Sequence, residues 1–223
     1  MHIVTGEEMN EIDRCTMQNI GLAGPILMEN AGQAVARKLF EWLDGKDRIA
    51  VMIGTGNNGG DGFVISRILL DNGYDVDVWL IPPRKKIKGD AKRHCEIFEA
   101  AGFEVYDYLQ NEGVFRDRLN RYTVIVDALL GTGVKGEARS PYKEIIAAIN
   151  ASDALVVAVD LPSGVPANGG EIAGEAIRAD RTVTLACPKT GALTYPSADF
   201  YGLWEAVDIG IPRKVIEETA APR

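Results

Sequence analysis

Three segments of this chain place chemically able side chains directly after short apolar runs. The run at residues 49–53 opens into Gly54-Thr55-Gly56-Asn57-Asn58-Gly59-Gly60-Asp61-Gly62, five glycines in nine residues. Glycine has no Cβ, so backbone N–H groups there can approach a ligand closely and adopt φ > 0. At a helix start such amides form an anion site suited to phosphate. Gly54-x-Gly56-x-x-Gly59 satisfies the GxGxxG pattern, a weak signal alone that gains weight from its strand–turn–helix setting. The run at 123–126 ends in Asp127 and continues through Ala128-Leu129-Leu130 to Gly131-Thr132-Gly133-Val134-Lys135-Gly136; the run at 155–159 ends in Asp160-Leu161-Pro162-Ser163-Gly164. One strand-terminal Asp is ordinarily an Asx-turn or a helix cap. Two on separate strands, opposite an Asn-Asn-Gly-Gly-Asp loop, point to a shared site. The run at 182–186 leads to Lys189, either a participant in the chemistry or a phosphate-facing or solvated lysine. Asn58, Asp127 and Ser163 offer amide, carboxylate and hydroxyl oxygens. Such a set suits a hard cation rather than zinc or copper, and with one carboxylate a low-charge ion is at least as reasonable as Mg²⁺.

The elements that position these residues follow from hydrophobic patterning. Apolar runs at 49–53, 76–81, 103–106, 123–126, 155–159, 182–186 and 203–207 alternate with helical patterns at 63–72, 90–101, 112–120 and 141–150. Uniformly apolar strands are buried on both faces, and β–α alternation makes parallel crossovers. The expected fold is therefore α/β, Rossmann-like and doubly wound, with three αβα layers and a mostly parallel sheet. In such sheets ligands sit at the carboxyl ends of the strands. Ahead of the core, about residues 46–212, lies a helical extension of about 45 residues. Thr5-Gly6-Glu7-Glu8 reads as its first capping box and Pro25 as an early position of its second helix, which Gly45 would end. Ser140-Pro141 reads as another N-cap and first-turn pair. No repeat, low-complexity segment or long linker divides the 223 residues, so one domain is expected.

Composition narrows the partners. With 46% hydrophobic and 25% charged residues the chain is an ordinary globular one. A net charge of −8 argues against nucleic acid. The one short basic run, Arg84-Lys85-Lys86, reads as a solvated loop or, less well, as a contact for a 2′-phosphate. No apolar run approaches the ~18 residues of a membrane span. Cys15, Cys95 and Cys187 are odd in number and far apart, and the first residues carry no secretory pattern, so a cytoplasmic, reducing setting is expected. With only two histidines, His2 and His94, acid–base work falls to Asp, Glu, Lys or Tyr. An ordinary dinucleotide fold also carries an acid at the end of its second strand. Here that strand ends Leu80-Ile81-Pro82-Pro83-Arg84, which counts against an NAD(P)-dependent oxidoreductase.

Taken jointly, Asn57-Asn58-Gly59-Gly60-Asp61-Gly62, Asp127 with Leu130-Gly131-Thr132-Gly133, and Val159-Asp160-Leu161-Pro162-Ser163-Gly164 resemble the NAD(P)H-hydrate epimerase family. Met28-Glu29-Asn30-Ala31-Gly32 and Pro188-Lys189 fit the same pattern, and the resemblance runs from about residue 8 to residue 212. It implies a homodimer that interconverts the R and S hydrates of NADH and NADPH, NAD(P)HX, at C6 of the damaged ring. A dehydratase specific for the S form would be a separate pathway partner. By the same resemblance Asn57, Asn58, Gly59, Gly60, Asp61, Gly131, Thr132, Gly133, Val134, Lys135, Gly136, Glu137 and Asp160 would bind the hydrate. Asn58, Asp127 and Ser163 would hold one K⁺ per subunit. Loss of the C6 hydroxyl as water gives an iminium, and water re-adding from the other face inverts the centre. Asp160 is the first candidate for the proton work and Lys189 the second. The alternative of another class is a non-catalytic dinucleotide-binding or interaction module, which would be expected to lose the Asp and Asn residues kept here.

Overall fold

A computed structural model describes residues 2–133 and 136–220. Seven strands, β1 Arg48–Ile53, β2 Asp75–Leu80, β3 Tyr106–Asp107, β4 Val124–Ala128, β5 Leu155–Val159, β6 Arg181–Leu185 and β7 Leu203–Val207, form one sheet in the order β3-β2-β1-β4-β5-β6-β7. Every pairing is parallel. The chain order reverses between β1 and β4, and that switch point opens a crevice at the carboxyl ends of both.

Helices cover both faces: α1 Gly6–Cys15, α2 Gly24–Trp42, α3 Asn57–Asp71, α4 Gly89–Ala100, α5 Tyr108–Leu119, α6 Tyr142–Asn150 and α7 Arg213–Thr219. One apolar core lies between the sheet and α2, α3 and α4, built on Ile49, Val51, Ile53, Phe63, Leu69 and Phe98. The other uses the alternate residues of the same strands, Ala50, Met52, Ile125 and Ala158, against α5 and α6. This two-sided burial is what the unbroken apolar runs predict.

Several local expectations need correction. The strand at 103–106 shrinks to Tyr106–Asp107, because it is the short edge beside β2 alone. The third helix begins at Asn57, not at residue 63, so most of the glycine-rich loop is helical. Its glycines are there for packing: a Cβ on Gly60 would lie 2.3 Å from Met28 Sδ, and one on Gly59 2.2 Å from the Gly54 carbonyl oxygen. None of Gly54, Gly56, Gly59, Gly60 and Gly62 adopts positive φ. The second helix ends at Trp42 with Leu43 as its C-cap, ahead of Gly45. Ser140 does not cap α6; Pro141 holds the N-cap position, and the serine hydroxyl turns to Glu144.

The N-terminal helices are pinned onto the sheet's carboxyl edge. Thr5 and Glu8 form the expected capping box, and Val4 makes a parallel bridge to Lys189, its N–H reaching the Pro188 carbonyl at 3.0 Å. The Gly6 N–H donates to Asn168 Oδ1 at 2.7 Å. The motif at Met28-Glu29-Asn30-Ala31-Gly32 is a joint of the same kind: Glu29 pairs with Arg67 of α3, Asn30 Nδ2 reaches the Ile209 carbonyl at 3.0 Å, and a Cβ on Gly32 would strike Val64.

Candidate active site

The carboxyl ends of β1, β4, β5 and β6, roofed by α1 and the start of α2, enclose a cavity of about 550 Å³. Its polar wall includes Asn57, Asn58, Asp61, Asp160 and Lys189, with Asp13 entering from α1 and Asp90 from α4. A second cavity of about 510 Å³ shares Asn10 and Gly131–Gly133 with the first and extends past Gly136, Gly164 and Asn168. The free N–H groups of a helix's first turn sum to a partial positive charge. Here that end of α3 borders the first cavity through Gly56, Asn57 and Asn58. The Gly60 N–H is bonded within the helix to the Gly56 carbonyl at 3.2 Å.

Asp160 sits at φ +69, a region that Asp and Asn tolerate better than other side chains. The Leu161 N–H reaches back to the Val159 carbonyl at 2.9 Å, closing a γ-turn around Asp160. Its neighbour β6 ends the same way: Ala186 has φ +59, and the Cys187 N–H donates to the Leu185 carbonyl at 2.7 Å. These paired turns lift the chain off the sheet and aim Asp160 at the cavity. The Leu185 N–H then donates to Asp160 Oδ1 at 3.0 Å, and the Lys189 ammonium contacts the same carboxylate. Lys189 is 1% exposed and also donates to the Leu185 carbonyl at 3.1 Å. A buried ammonium needs such partners, because desolvating it alone is prohibitive.

Around this pair the balance of charge is lopsided, with one lysine against three nearby carboxyls. Burial pushes the Asp61 carboxyl well above its ordinary value, and Asp160 and Asp13 add to the effect. Burial also raises Asp13 to about 6, against the pull of Lys189 and with the help of Asp160. A carboxyl held at about 6, as Asp13 is, can donate and accept protons near neutrality.

Asp127 has another setting. It is fully buried, and its oxygens accept from the Ser163 hydroxyl at 2.6 Å, the Ser163 N–H at 2.8 Å and the Leu129 N–H at 3.2 Å. Burial still lifts it to about 6, more than those hydrogen bonds lower it. The Leu130 N–H donates to Ser163 Oγ at 2.9 Å, and Asn58 Nδ2 donates to the Leu130 carbonyl at 3.0 Å. Asn58 and Ser163 thus converge on Leu130, and Asp127 joins them through Ser163. The remaining amide oxygen, Asn58 Oδ1, is buried and has no hydrogen-bond partner among the described residues.

Residues 24–191 match the family described as YjeF-related protein N-terminus. The chain belongs to this family. It is 37% identical to the NAD(P)H-hydrate epimerase of Rhodopirellula baltica over 96% of its own length and 87% of that protein's. It is 30% identical to the NAD(P)H-hydrate epimerase of Elusimicrobium minutum, covering 98% of this chain and 100% of the relative. Against the bifunctional NAD(P)H-hydrate repair enzyme of Thermofilum pendens it is 39% identical over 98% of its length, yet spans only 42% of that protein. A crystal structure of a yeast protein superposes with a TM-score of 0.83 at 28% identity, covering 98% of this chain and 93% of that one.

In this YjeF-related chain, the residues singled out from the sequence divide into groups. Asn57, Asn58, Asp61, Gly131, Thr132, Gly133, Asp160 and Lys189 line the first cavity, and Gly136 lines the second. Val134 and Lys135 lie outside the described residues. Gly59 and Gly60 stand behind the wall as packing positions. Glu137 is paired with Lys143, 2.8 Å away at the surface, and lines neither cavity. Arg84-Lys85-Lys86 form a short exposed helical turn away from both, with Arg84 paired to Glu99. Asp13 was not foreseen. It follows the buried Ile12 and lies four residues after the buried Met9, so an acid at the margin of an amphipathic helix's apolar face was the available signal. Among the described residues no helix is long and apolar enough to cross a membrane.

Proposed function

We propose that this chain is an NAD(P)H-hydrate epimerase, interconverting the R and S hydrates of NADH and NADPH. The observation that carries the reading is the Asp160–Lys189 pair at the rim of a cavity that also borders the open end of α3, in a chain matching curated epimerases almost end to end. The helix end and the Gly131–Gly133 turn suit the pyrophosphate, and the acidic wall suits a ring that turns cationic as its hydroxyl departs. Asp160 gives a proton to the C6 hydroxyl, which leaves as water. Water re-adding from the other face gives up a proton as the hydroxyl is restored, and Lys189, in contact with Asp160, is the second candidate for the transfer. An oxidoreductase is disfavoured by the apolar end of β2, Leu80 and Ile81, where a ribose-binding acid would stand. A non-catalytic module is disfavoured because the chain keeps the whole cluster of acids and amides.

Potassium fits the donor set at Asn58, Asp127 and Ser163. The orphaned Asn58 Oδ1 gains a partner, and a cation beside Asp127 offsets the burial that lifts its pKa. The weak, oxygen-only character of these donors matches a monovalent ion. When bound, the ion would supply fixed positive charge near the phosphates. Assembly as a homodimer and a dehydratase acting in the same repair sequence belong to this proposal as well. The exposed Leu193, Tyr195 and Leu203 offer apolar surface for a subunit contact.

The test is chromatographic separation of R and S hydrates over time, with and without protein. Equilibration should accelerate without consumption of ATP, ADP or NAD(P)H. A rate equal to that of buffer would leave only the binding module.

A further inference from the structure

Inversion at C6 has a geometric requirement that one proton-handling group does not meet. An acid on one face of the ring protonates the hydroxyl and releases water on that face. To invert, water must then add to the iminium from the opposite face and lose a proton there. A single acid–base residue on one face serves only the side from which the hydroxyl left. The cavity should therefore present two such groups, delivered by different elements, with the ring between them.

We infer that Asp13, carried into the cavity by α1, is the second catalytic acid–base residue, serving the ring face that Asp160 does not. The inference rests on the epimerase reading above. Asp160 rises from the sheet at the end of β5, while Asp13 comes from a helix that precedes the sheet in sequence, yet both line one cavity. The position of α1 is fixed at the sheet's carboxyl edge, by the Val4–Lys189 bridge and by the 2.7 Å bond from the Gly6 N–H to Asn168. Asp13 is half-buried, and its N-terminal neighbour Ile12 is fully buried, so the helix presents its core face and this carboxyl to the same interior.

The charged surroundings suit a reversible proton carrier. Asp13 feels Lys189 and Asp160 directly, Asp61 adds a third carboxyl from α3, and Asp90 lines the cavity from α4. Lys189, the cation that both carboxyls feel, makes its contact with Asp160. Burial holds Asp13 at about 6, where both forms are populated near neutrality.

The proton balance closes. The acid on the first face gives H⁺ to the C6 hydroxyl, the C–O bond breaks, and water and an iminium result. Water then forms a C–O bond on the second face and gives H⁺ to the carboxylate there. One proton has crossed from one carboxyl to the other, and exchange with solvent resets both. For the opposite epimer the roles reverse.

The experiment follows oxygen exchange and inversion separately, using the full chain and purified R and S hydrates of NADH in oxygen-18 water. Asp13→Asn preserves shape and should slow inversion about 10²–10⁴-fold. One epimer should still exchange its C6 oxygen with retention, within about threefold of wild type, because its own face keeps Asp160. Asp160→Asn should give the mirror result, sparing exchange in the other epimer only, and Asp13→Glu should recover part of the inversion. Asp13→Asn that inverts within threefold of wild type would overturn the inference. So would loss of exchange in both epimers together, the mark of a merely structural role. A wild-type protein that inverts neither hydrate would refute the epimerase reading itself and is distinguishable from both.

Discussion

Asp127 and Asp160 end adjacent parallel strands, β4 and β5, yet the chain treats them in opposite ways. Asp127 continues its strand, is wholly enclosed, and accepts three hydrogen bonds from Ser163 and Leu129. Asp160 leaves its strand through a γ-turn at positive φ and faces a cavity beside a buried ammonium. One carboxylate has nearly all its hydrogen-bonding capacity committed to fixing the turns after β4 and β5. The other is held by one N–H and one lysine and keeps capacity for a ligand. A residue's place at a strand end therefore says where it sits in the fold, and its hydrogen-bond partners decide whether it is scaffold or chemistry.

Exchanging each for its amide should separate the two roles. The largest effect belongs to Asp160→Asn, which keeps the tolerated backbone region but cannot carry the proton. It should lower the epimerisation rate about 10²–10⁴-fold, or about 3–5 kcal/mol of barrier. A rate within threefold of wild type would promote Lys189 or Asp61 to its place. Asp127→Asn comes next and should act on stability first. An amide NH₂ would face an N–H or hydroxyl donor now satisfied by the carboxylate, a loss of about 1–3 kcal/mol measurable by denaturant unfolding. It should also reduce any difference in stability between potassium and tetramethylammonium buffers at matched ionic strength. Equal potassium dependence in the variant and wild type would remove Asp127 from the cation site.

The smallest expected effect concerns Asp13 and pH. Its folded value, about 6, lies above the ordinary 3.8 because of burial. Such a raised carboxyl contributes stability that is fully present below about pH 4 and is lost as pH rises through 6. Asp13→Asn cannot ionise, so it should match wild type at pH 4. At pH 8 it should be the more stable protein, by on the order of 1–2 kcal/mol. Thermal melts of both proteins across that range would show it; parallel curves would mean that Asp13 is not perturbed.

Much of this arrangement was legible in the sequence, for identifiable reasons. Strands at 49–53 and 155–159 are unbroken apolar runs bounded by polar turns, the run at 203–207 is interrupted by Glu205 alone, and the structure places strands at all three. Because β1, β4, β5 and β6 are neighbours, the residues just after them had to meet at one edge. What escaped was set by tertiary contact. The run Asn57-Asn58-Gly59-Gly60 has poor helix propensity yet opens α3, and its two glycines are required by the close approach of the Gly54 carbonyl and Met28. The five-residue π-helical turn Thr16–Ile20 carries no period that predicts it. Asp13 could not be assigned to the site from α1 alone, since the bridge between Val4 and Lys189 spans nearly the whole chain.

The central claim is that the acids around this cavity expel the C6 hydroxyl as water and readmit water to the ring. Wild-type epimerisation in oxygen-18 water tests it most directly, with mass spectrometry on each separated hydrate at early times. The account predicts that each inverted molecule carries one solvent oxygen at C6, so labelled and inverted fractions rise together. Inversion that outruns labelling would mean that the C6–O bond survives the reaction, and would contradict it.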